Sequence, residues 1–255
     1  MNINLIGTYG GNTDTNFLTG FFVDDFLAVD AGCLTQALNL EQQLAITDVL
    51  ISHSHLDHTL SLPFLADNLF DELKQPIRVW ADAAVIQALK KHVFNNVIWP
   101  DFSVLPSAEN PTIVFHEIQP EVPFQIKHIK ILPVRVNHVV PCLGFIVESS
   151  QTDSSFLYTA DTCSTDRIWE IGSNQKNLKI AIADCSFPNQ FHDLAVASGH
   201  MTPRLLAKDL SKLNARCQVL VYHLKPMYED VLVRELEELK IPRLVTQIQS
   251  TQMTI

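Results

Sequence analysis

Short apolar runs that end close to a polar side chain recur along the sequence. Runs rich in β-branched and aromatic residues at 49–51, 134–136, 156–160 and 219–222 are followed within two residues by His53, His138, Asp161 and His223. Such runs are typical of buried strands. Similar patterns predict strands at 3–7, 19–30 (with a turn at Asp24-Asp25), 77–80, 124–136 and 144–147, and helices at 59–70, 83–94 and 202–213. This alternation predicts an α/β fold whose polar side chains gather beyond the carboxyl ends of the strands.

The segment from 100 to 141 has a different texture. Seven of the 13 prolines lie there. Proline favours extended edges and turns over helices, so we expect connecting structure that carries a lid or a dimer contact. Strand-like alternation resumes at 124, and the segment is therefore not a domain boundary.

The apolar run at 49–51 is followed by the densest group of potential metal ligands in the sequence. His53, His55, Asp57 and His58 fall within six residues. Residues two apart in an extended segment point the same way, so His53 and His55 can share one ion. Asp57 and His58 come where a helix-like pattern begins and can reach a second ion. Histidine is the commonest metal ligand in proteins and carboxylate suits harder cations. The motif therefore predicts a dinuclear metal site.

Composition limits the classes of function. The chain has 255 residues, 47% of them hydrophobic and 18% charged, as in a compact α/β unit. Its formal net charge of −10 argues against a nucleic-acid partner, which normally needs a basic surface. No apolar run approaches the roughly 20 residues that span a bilayer, and the first strand begins without a basic leader. We therefore expect a cytoplasmic protein without a membrane partner.

The five cysteines are odd in number, far apart and without a Cys-x-x-Cys pair. They indicate buried thiols in a reducing compartment and neither a disulfide framework nor a zinc knot.

The motif His53-Ser54-His55-Leu56-Asp57-His58 resembles the signature of the metallo-β-lactamase fold, and its Leu before the Asp resembles class II cyclic-nucleotide phosphodiesterases, which are related to ribonuclease Z. Further stretches resemble that group: Leu5-Ile6-Gly7-Thr8, Gly10-Gly11-Asn12-Thr13, Val29-Asp30-Ala31-Gly32, Ile98-Trp99-Pro100-Asp101, Ser186-Phe187-Pro188-Asn189 and Gly199-His200-Met201-Thr202-Pro203. The resemblance implies a four-layer αββα sandwich, with two mixed β-sheets flanked by helices, over residues 1–255 as one domain.

The same resemblance implies roles for individual residues. His53, His55 and His138 would hold the first metal, Asp57, His58 and His223 the second, and Asp161 would bridge them, while Asp30 supports the site from behind. Independently of the resemblance, the small residues of the loop 7–15 allow its backbone to approach a site closely, so the loop forms either one wall of the substrate pocket or an ordinary turn. The two divalent ions are expected to be zinc, with manganese or iron as alternatives.

Catalytic roles are expected for Asp57, within the metal site, and for His200. By resemblance, His200 lies beside the leaving oxygen, where it protonates the departing alkoxide or stabilises its charge. The alternative is that His200 merely precedes the helix at 202–213, for which Thr202 is a suitable N-cap and Pro203 a suitable first residue. Asp184, at a place where relatives often carry Glu, is a candidate to orient His200.

These residues favour a dimetal hydrolase that opens a 3',5'-cyclic nucleotide, cAMP first, to the 5'-monophosphate through a metal-bridging hydroxide. The alternatives are a ribonuclease Z-like enzyme, an ester, thioester or lactone hydrolase of the same fold, and a non-enzymatic cyclic-nucleotide sensor. A homodimer is compatible with the sequence. Trp99 and Tyr222 are candidates for stacking on a base, the alternative for each being a core or rim residue. The remaining histidines are expected to be structural or surface residues: His92, His116, His128 and His192.

Overall fold

Two mixed seven-stranded sheets face each other in the computed structural model, which describes residues 1–70, 72–213 and 217–255. The first sheet has these strands in chain order: β1 (Asn2–Gly7), β2 (Gly20–Val23), β3 (Leu27–Val29), β4 (Asp48–Leu50), β5 (Ile77–Ala81), β6 (Ile113–Glu117) and, from the end of the chain, β14 (Thr251–Thr254). The second sheet has β7 (Phe124–Ile126), β8 (Ile129–Arg135), β9 (Leu143–Ser149), β10 (Ser154–Tyr158), β11 (Leu178–Asp184), β12 (Gln218–Tyr222) and β13 (Leu244–Val245).

Each sheet is parallel on one side and antiparallel on the other. The first sheet runs β14-β1-β2-β3-β4-β5-β6, with parallel pairing from β3 to β6. The second sheet runs β13-β12-β11-β10-β9-β8-β7, with parallel pairing from β13 to β10. The carboxyl ends of β3, β4, β10 and β12 therefore supply the edge at which the polar residues collect.

Alternation along the strands explains the layers. Leu5 and Leu50 face the core between the two sheets, whereas Ile6, Val49 and Ile51 face the outer side of the first sheet. Successive strand residues point to opposite faces, so one strand supplies both apolar layers. The outer side of the first sheet is covered by α1 (Leu34–Ala37), α2 (Leu40–Ala45), α4 (Leu62–Leu69) and α5 (Ala83–His92).

Helices also cover the second sheet: α6 (Arg167–Asn174), α8 (Pro203–Leu210) and α9 (Glu229–Glu238), while α3 (Leu56–Thr59) and α7 (His192–Ser198) lie near the polar edge. The predicted fold class, two mixed sheets flanked by helices, is confirmed. No helix in the described ranges is long and apolar enough to cross a bilayer.

Several predicted boundaries were wrong in detail. The helix expected at 59–70 is two helices, α3 and α4, because the backbone N-H of Ser61 between them donates to the carbonyl of Ala31, at 2.8 Å, and not to a carbonyl of the helix. The Ser61 hydroxyl donates to the same carbonyl and accepts from the N-H of Leu34. The helices expected to reach 94 and 213 end at His92 and Leu210. By contrast, the turn predicted at Asp24-Asp25 within 19–30 is confirmed: β2 and β3 form a hairpin there, with positive φ angles at Asp24 and Asp25.

The proline-rich segment carries an edge strand of each sheet, β6 and β7. Neither of these strands contains a proline; Pro133 lies in β8, beyond Ile131, the last residue that pairs with β7. His128, expected to be a structural or surface residue, is partly buried. It lies in the β7-β8 turn, where its Nε2 is 2.8 Å from Asp24 of the first sheet.

Candidate metal centre

The ends of strands from both sheets bring the expected ligands together. His53 follows β4 in the first sheet, and Asp161 and His223 follow β10 and β12 in the second. His138 arrives three residues after β8. His53, His58, Asp161 and His223 are at most 1% exposed. The site therefore lies at the edge between the two sheets and is built from both.

Two groups of potential ligand atoms share Asp161. In the first group, ligand atoms of His53, His55, His138 and Asp161 all lie within 4.8 Å of one another. In the second group the same holds for Asp57, His58, Asp161 and His223. The structure thus brings together all seven residues that were expected to bind metal.

The contacts converge on one carboxylate oxygen. Asp161 Oδ2 lies 3.6 Å from His53 Nε2, 3.3 Å from His58 Nε2 and 3.2 Å from His223 Nε2. Asp57 Oδ2 lies 3.1 Å from the same His223 nitrogen. Within the first group, His138 Nε2 and His55 Nδ1 are 3.2 Å apart. Asp161 is accordingly placed between the two groups.

Backbone conformation at the strand ends helps to aim these side chains. Asp30, Ala160 and His223 have φ angles of 57°, 51° and 65°. Non-glycine residues rarely adopt positive φ, and where they do, the surrounding structure holds them. All three lie directly after a strand of the site or one residue beyond it, so the chain turns sharply where it delivers a functional group.

A buried carboxylate, Asp30, orients two of the imidazoles. Asp30 Oδ2 accepts from His58 Nδ1 at 2.8 Å and from the Ser52 hydroxyl at 2.9 Å. Because Ser52 donates to Asp30, its oxygen is left to accept from His53 Nδ1, 3.0 Å away. The Nε2 lone pairs of His53 and His58 are therefore turned toward Asp161, as in metal sites where an outer hydrogen bond fixes the ligand tautomer.

Asp184 and Ser186 perform the same task on the opposite side. Ser186 donates to Asp184 Oδ1 at 2.6 Å, so its oxygen accepts from His223 Nδ1 at 2.9 Å. Asp184 Oδ2 accepts from His200 Nδ1 at 2.9 Å. His138 Nδ1 donates to the carbonyl of Gly199 at 2.9 Å. The expected contact between Asp184 and His200 is present, and Ser186 joins it to a metal-ligand candidate.

His200 lies against both groups. Its ring centre is 5.0 Å from that of His223, nearly parallel to it, and 5.1 Å from that of His138. Burial disfavours its charged form, but the attraction of Asp184 outweighs burial and raises the pKa of His200 above its ordinary value. Thr202 also caps α8 and Pro203 is its first residue, so the helix-start interpretation of this stretch is confirmed, and the catalytic role of His200 stays a prediction.

Sequence analysis missed the hydrogen bonds that two buried tyrosines make in the site. The Tyr222 hydroxyl donates to Asp161 Oδ1 at 2.8 Å, and the Tyr158 hydroxyl donates to Asp30 Oδ2 at 2.7 Å. Tyr222 is 1% exposed, so the idea that it stacks on a base was wrong. The chain separation of each tyrosine from its carboxylate is too large for any local pattern to have revealed these pairs.

Polar atoms without partners show that the site fits cations. Among the described residues, His53 Nε2, His58 Nε2 and Asp161 Oδ2 are buried and have no hydrogen-bond partner. Buried polar groups are normally satisfied, and exceptions need an explanation. An ion between acceptor-only atoms supplies one, because imidazole lone pairs and carboxylate oxygens are metal donors.

Electrostatics point to the same conclusion. Burial disfavours a charged His58, but Asp161 and Asp30 outweigh burial and raise the pKa of His58 well above its ordinary value. Burial and the neighbouring His58 hold the pKa of His53 well below its ordinary value. The carboxylates therefore favour positive charge in the site, but its imidazoles lie too close together for all of them to be protonated. Two divalent cations would meet this demand.

The loop at 7–15 lies close against the second group. A Cβ at Gly10 would come within 2.4 Å of His223 Cε1, so only glycine allows this approach. The loop is held by hydrogen bonds from His223 N to the Thr8 carbonyl and from Gly10 N to the Leu224 carbonyl. This placement matches the expectation that the loop forms a wall of the site.

Other candidates lie elsewhere. Trp99 packs edge-on against Phe64, with ring centres 5.0 Å apart, on the outer helical layer beyond the metal motif. His116 stacks on Trp80, and neither His92 nor His192 belongs to a described metal group.

Comparison with known proteins gives consistent results. A Yersinia pestis protein named "Probable 3',5'-cyclic-nucleotide phosphodiesterase" is 26% identical over 88% of this chain and 78% of its own length. The Saccharomyces cerevisiae protein named 3',5'-cyclic-nucleotide phosphodiesterase 1 is 26% identical over 76% of this chain, which spans only 61% of the yeast protein. A Borrelia hermsii protein named ribonuclease Z is 22% identical over 84% of this chain and 82% of its own length.

The fold has a solved counterpart in unliganded yeast PDE1, with a TM-score of 0.81, 18% identity and coverage of 100% of this chain and 99% of that one. The family model described as "Beta-lactamase superfamily domain" matches residues 23–223, which is well over half of the sequence. The matched range includes all seven histidine and aspartate residues that converge in the two groups. The chain belongs to the beta-lactamase superfamily and has the metallo-β-lactamase fold.

Proposed function

We propose that the chain is a dimetal phosphodiesterase that hydrolyses 3',5'-cyclic nucleotides, cAMP first, to nucleoside 5'-monophosphates. The observation that carries the proposal is the position of His200 against two ligand groups that share Asp161. His53, His55 and His138 would hold one cation, Asp57, His58 and His223 the other, with Asp161 between them. Two such ions, zinc first, supply Lewis acidity and an activated water for displacement at phosphorus.

The protein's own part in the reaction falls to His200. Its Nδ1 is engaged by Asp184 at 2.9 Å, which fixes the ring and turns Nε2 away from the carboxylate. A proton on Nε2 can pass to the O3' alkoxide as the bond from phosphorus to that oxygen breaks. Asp57, hydrogen-bonded within the second group, positions that group and remains ionised. The alkoxide that leaves a phosphodiester needs a proton, and His200 can supply it.

An aromatic rim beside His200 supports a nucleotide substrate. Phe187 lies 5.9 Å from the His200 ring and 6.3 Å from Tyr228, which lies 5.1 Å from Phe191. The three rings are only partly buried. A heteroaromatic base can stack on such rings, which is worth about 1–3 kcal/mol per base. The names of the phosphodiesterase relatives support the same substrate class.

An RNA phosphodiester is the second candidate, because one relative carries the name ribonuclease Z. The formal net charge of −10 favours the small substrate, since RNA binding draws its affinity from basic residues.

The test follows 5'-AMP by chromatography after the zinc- or manganese-loaded protein is incubated with cAMP. We expect turnover that disappears in Asp161→Ala and falls by about 100-fold or more in His200→Ala, the usual size of a general-acid contribution. His192→Ala, an exposed histidine substitution nearby in the chain, should leave the rate unchanged.

Two outcomes would count against the proposal. A His200→Ala variant that turns over cAMP at nearly the wild-type rate would remove the assigned role. A fully metal-loaded protein that leaves cAMP intact and cleaves precursor tRNA would replace the cyclic-nucleotide assignment by the RNA one.

A further inference from the structure

A lysine lies at the rim of the second ligand group. Lys225 follows His223 by two residues, and its Nζ donates to the Gly10 carbonyl at 2.6 Å. A Cβ built on Gly10 would lie 2.4 Å from His223 Cε1 and 2.8 Å from Lys225 Nζ. The ammonium group is therefore adjacent to the imidazole of a ligand residue.

This ammonium group has unused hydrogen-bonding capacity. A lysine ammonium has three donors, and the Gly10 carbonyl accepts one of them. Within residues 1–70, 72–213 and 217–255, no carboxylate forms an ion pair with Lys225, although Asp57, Asp161 and Asp184 belong to the same site. An ammonium group without an acidic partner is available to an anion that enters the site.

The segment that carries Lys225 is held in place on both sides. The N-H of Gly10 donates to the Leu224 carbonyl at 3.1 Å, and the N-H of His223 donates to the Thr8 carbonyl at 2.6 Å. A Cβ at Gly11 would lie 2.9 Å from Pro226 Cδ, so the two backbones are in close contact. The positive charge is thus fixed before any ligand arrives, and fixed charges stabilise an anion without a cost of reorganisation.

We propose that Lys225 binds the phosphate group of the substrate, donating from its ammonium group to a non-bridging phosphate oxygen. This inference rests on the proposed function. It identifies Lys225 as the protein group that attracts the negative charge of the phosphate, which the acidic chain would otherwise repel. The carbonyl of Gly10 holds the ammonium group in position and leaves two donors for the phosphate.

The competing interpretation is purely structural: Lys225 tethers the loop at Gly10 and has no contact with substrate. The two interpretations differ in what a substitution changes. Loss of a tether disturbs the loop, the adjacent His223 and hence metal content. Loss of a phosphate contact weakens anion binding by protein that still carries its metal.

The experiment measures the binding of inorganic phosphate and of 5'-AMP to metal-loaded protein by calorimetry, with bound metal and melting temperature determined on the same samples. The variants are Lys225→Met and Lys225→Arg, which keeps the charge. Lys176→Met, an exposed lysine near the start of β11 and away from the carboxyl ends of the strands, is the control for net charge.

We expect Lys225→Met to lower the affinity for both ligands by about ten- to hundredfold, the range of a charge-assisted hydrogen bond, with metal content unchanged. Lys225→Arg should retain most of the affinity, and Lys176→Met all of it. With cAMP as substrate, Lys225→Met should raise KM more than it lowers kcat.

Unchanged phosphate affinity in Lys225→Met would overturn the inference, as would a loss of phosphate binding that only parallels a loss of metal, or a wild-type protein that binds neither ligand. Because phosphate binding is measured without turnover, the outcome is separable from the proposed function. Metal-loaded protein that does not hydrolyse cAMP but binds phosphate through Lys225 would refute only the reaction.

Discussion

Removal of the Tyr222 hydroxyl tests whether this residue of the second sheet holds the carboxylate of Asp161, which the two groups share, in place. The hydroxyl donates to Asp161 Oδ1 at 2.8 Å and is buried. In Tyr222→Phe that oxygen loses its hydrogen bond, and the carboxylate can rotate. We expect weaker metal binding and lower stability, because the buried charge loses the donor that balances it.

The magnitude follows from the type of bond. A hydrogen bond to a charged group contributes about 1.5–3 kcal/mol. For a chain of this size, each kcal/mol moves the melting temperature by about 2–4 °C, so Tyr222→Phe should melt about 3–12 °C lower. Loss of an outer hydrogen bond to a metal ligand typically reduces metal affinity about ten- to hundredfold.

The assay combines thermal melting of the metal-free protein with zinc affinity from competition against a chelator. Tyr158→Phe is the matched control, since it deletes an equally buried hydroxyl that is bonded to Asp30. Asp30 Oδ2 keeps its bonds to Ser52 and His58, so this variant should lose stability but little zinc affinity. Zinc affinity in Tyr222→Phe equal to that of the wild type would refute the reasoning.

Three further results are expected. Gly10→Ala should lower bound metal, measured by elemental analysis, because its Cβ would lie 2.4 Å from His223 Cε1; full metal content would show that the loop can move away without consequence. A thiol reagent at neutral pH should modify none of the five buried cysteines in the native protein and all of them in denaturant, since burial raises the pKa of Cys33, for example, to about 12; rapid labelling of native protein would contradict this. Burial raises the pKa of Asp48, but hydrogen bonds from Arg78 and Trp80 outweigh it and leave the pKa below 3.8. That stabilisation is present above the unfolded pKa and lost as the pH falls below it, so the difference in melting temperature between wild type and Asp48→Asn should shrink below pH 3.8; a constant difference would show that ionisation of Asp48 is irrelevant.

The convergence of the seven candidate ligands was predictable because most of them lie in or directly after a motif that local sequence marks. A buried strand has a strong apolar pattern, and a histidine or aspartate just beyond it lies at the edge where strand ends meet. His53, Asp161 and His223 all follow this rule, and the structure brings them together. The seven-residue set therefore needed only local patterns and a family resemblance.

The supporting carboxylates Asp30 and Asp184 were predicted, but the serines and tyrosines that complete the support were not, because their partners are remote in sequence. Sequence analysis gave Ser52 no role, yet Ser52 links His53 to Asp30, which lies 22 residues before Ser52. Ser186 links His223 to Asp184 only because β11 and β12 are neighbours. The break between α3 and α4 depends on a bond from Ser61 to Ala31, and no helical pattern encodes such a bond.

The division of the ligands between the two sheets has a consequence for the lifetime of the protein. The loop after β4 brings His53, His55, Asp57 and His58, whereas His138, Asp161 and His223 come from the other sheet. Cations bound between them would join the halves of the sandwich, and ligands that bind only the folded state stabilise it in proportion to the logarithm of their concentration. Loss of metal would then abolish activity and should also loosen the contact between the sheets. The chain would become more open to proteolysis, so that the amount of protein follows the metal supply.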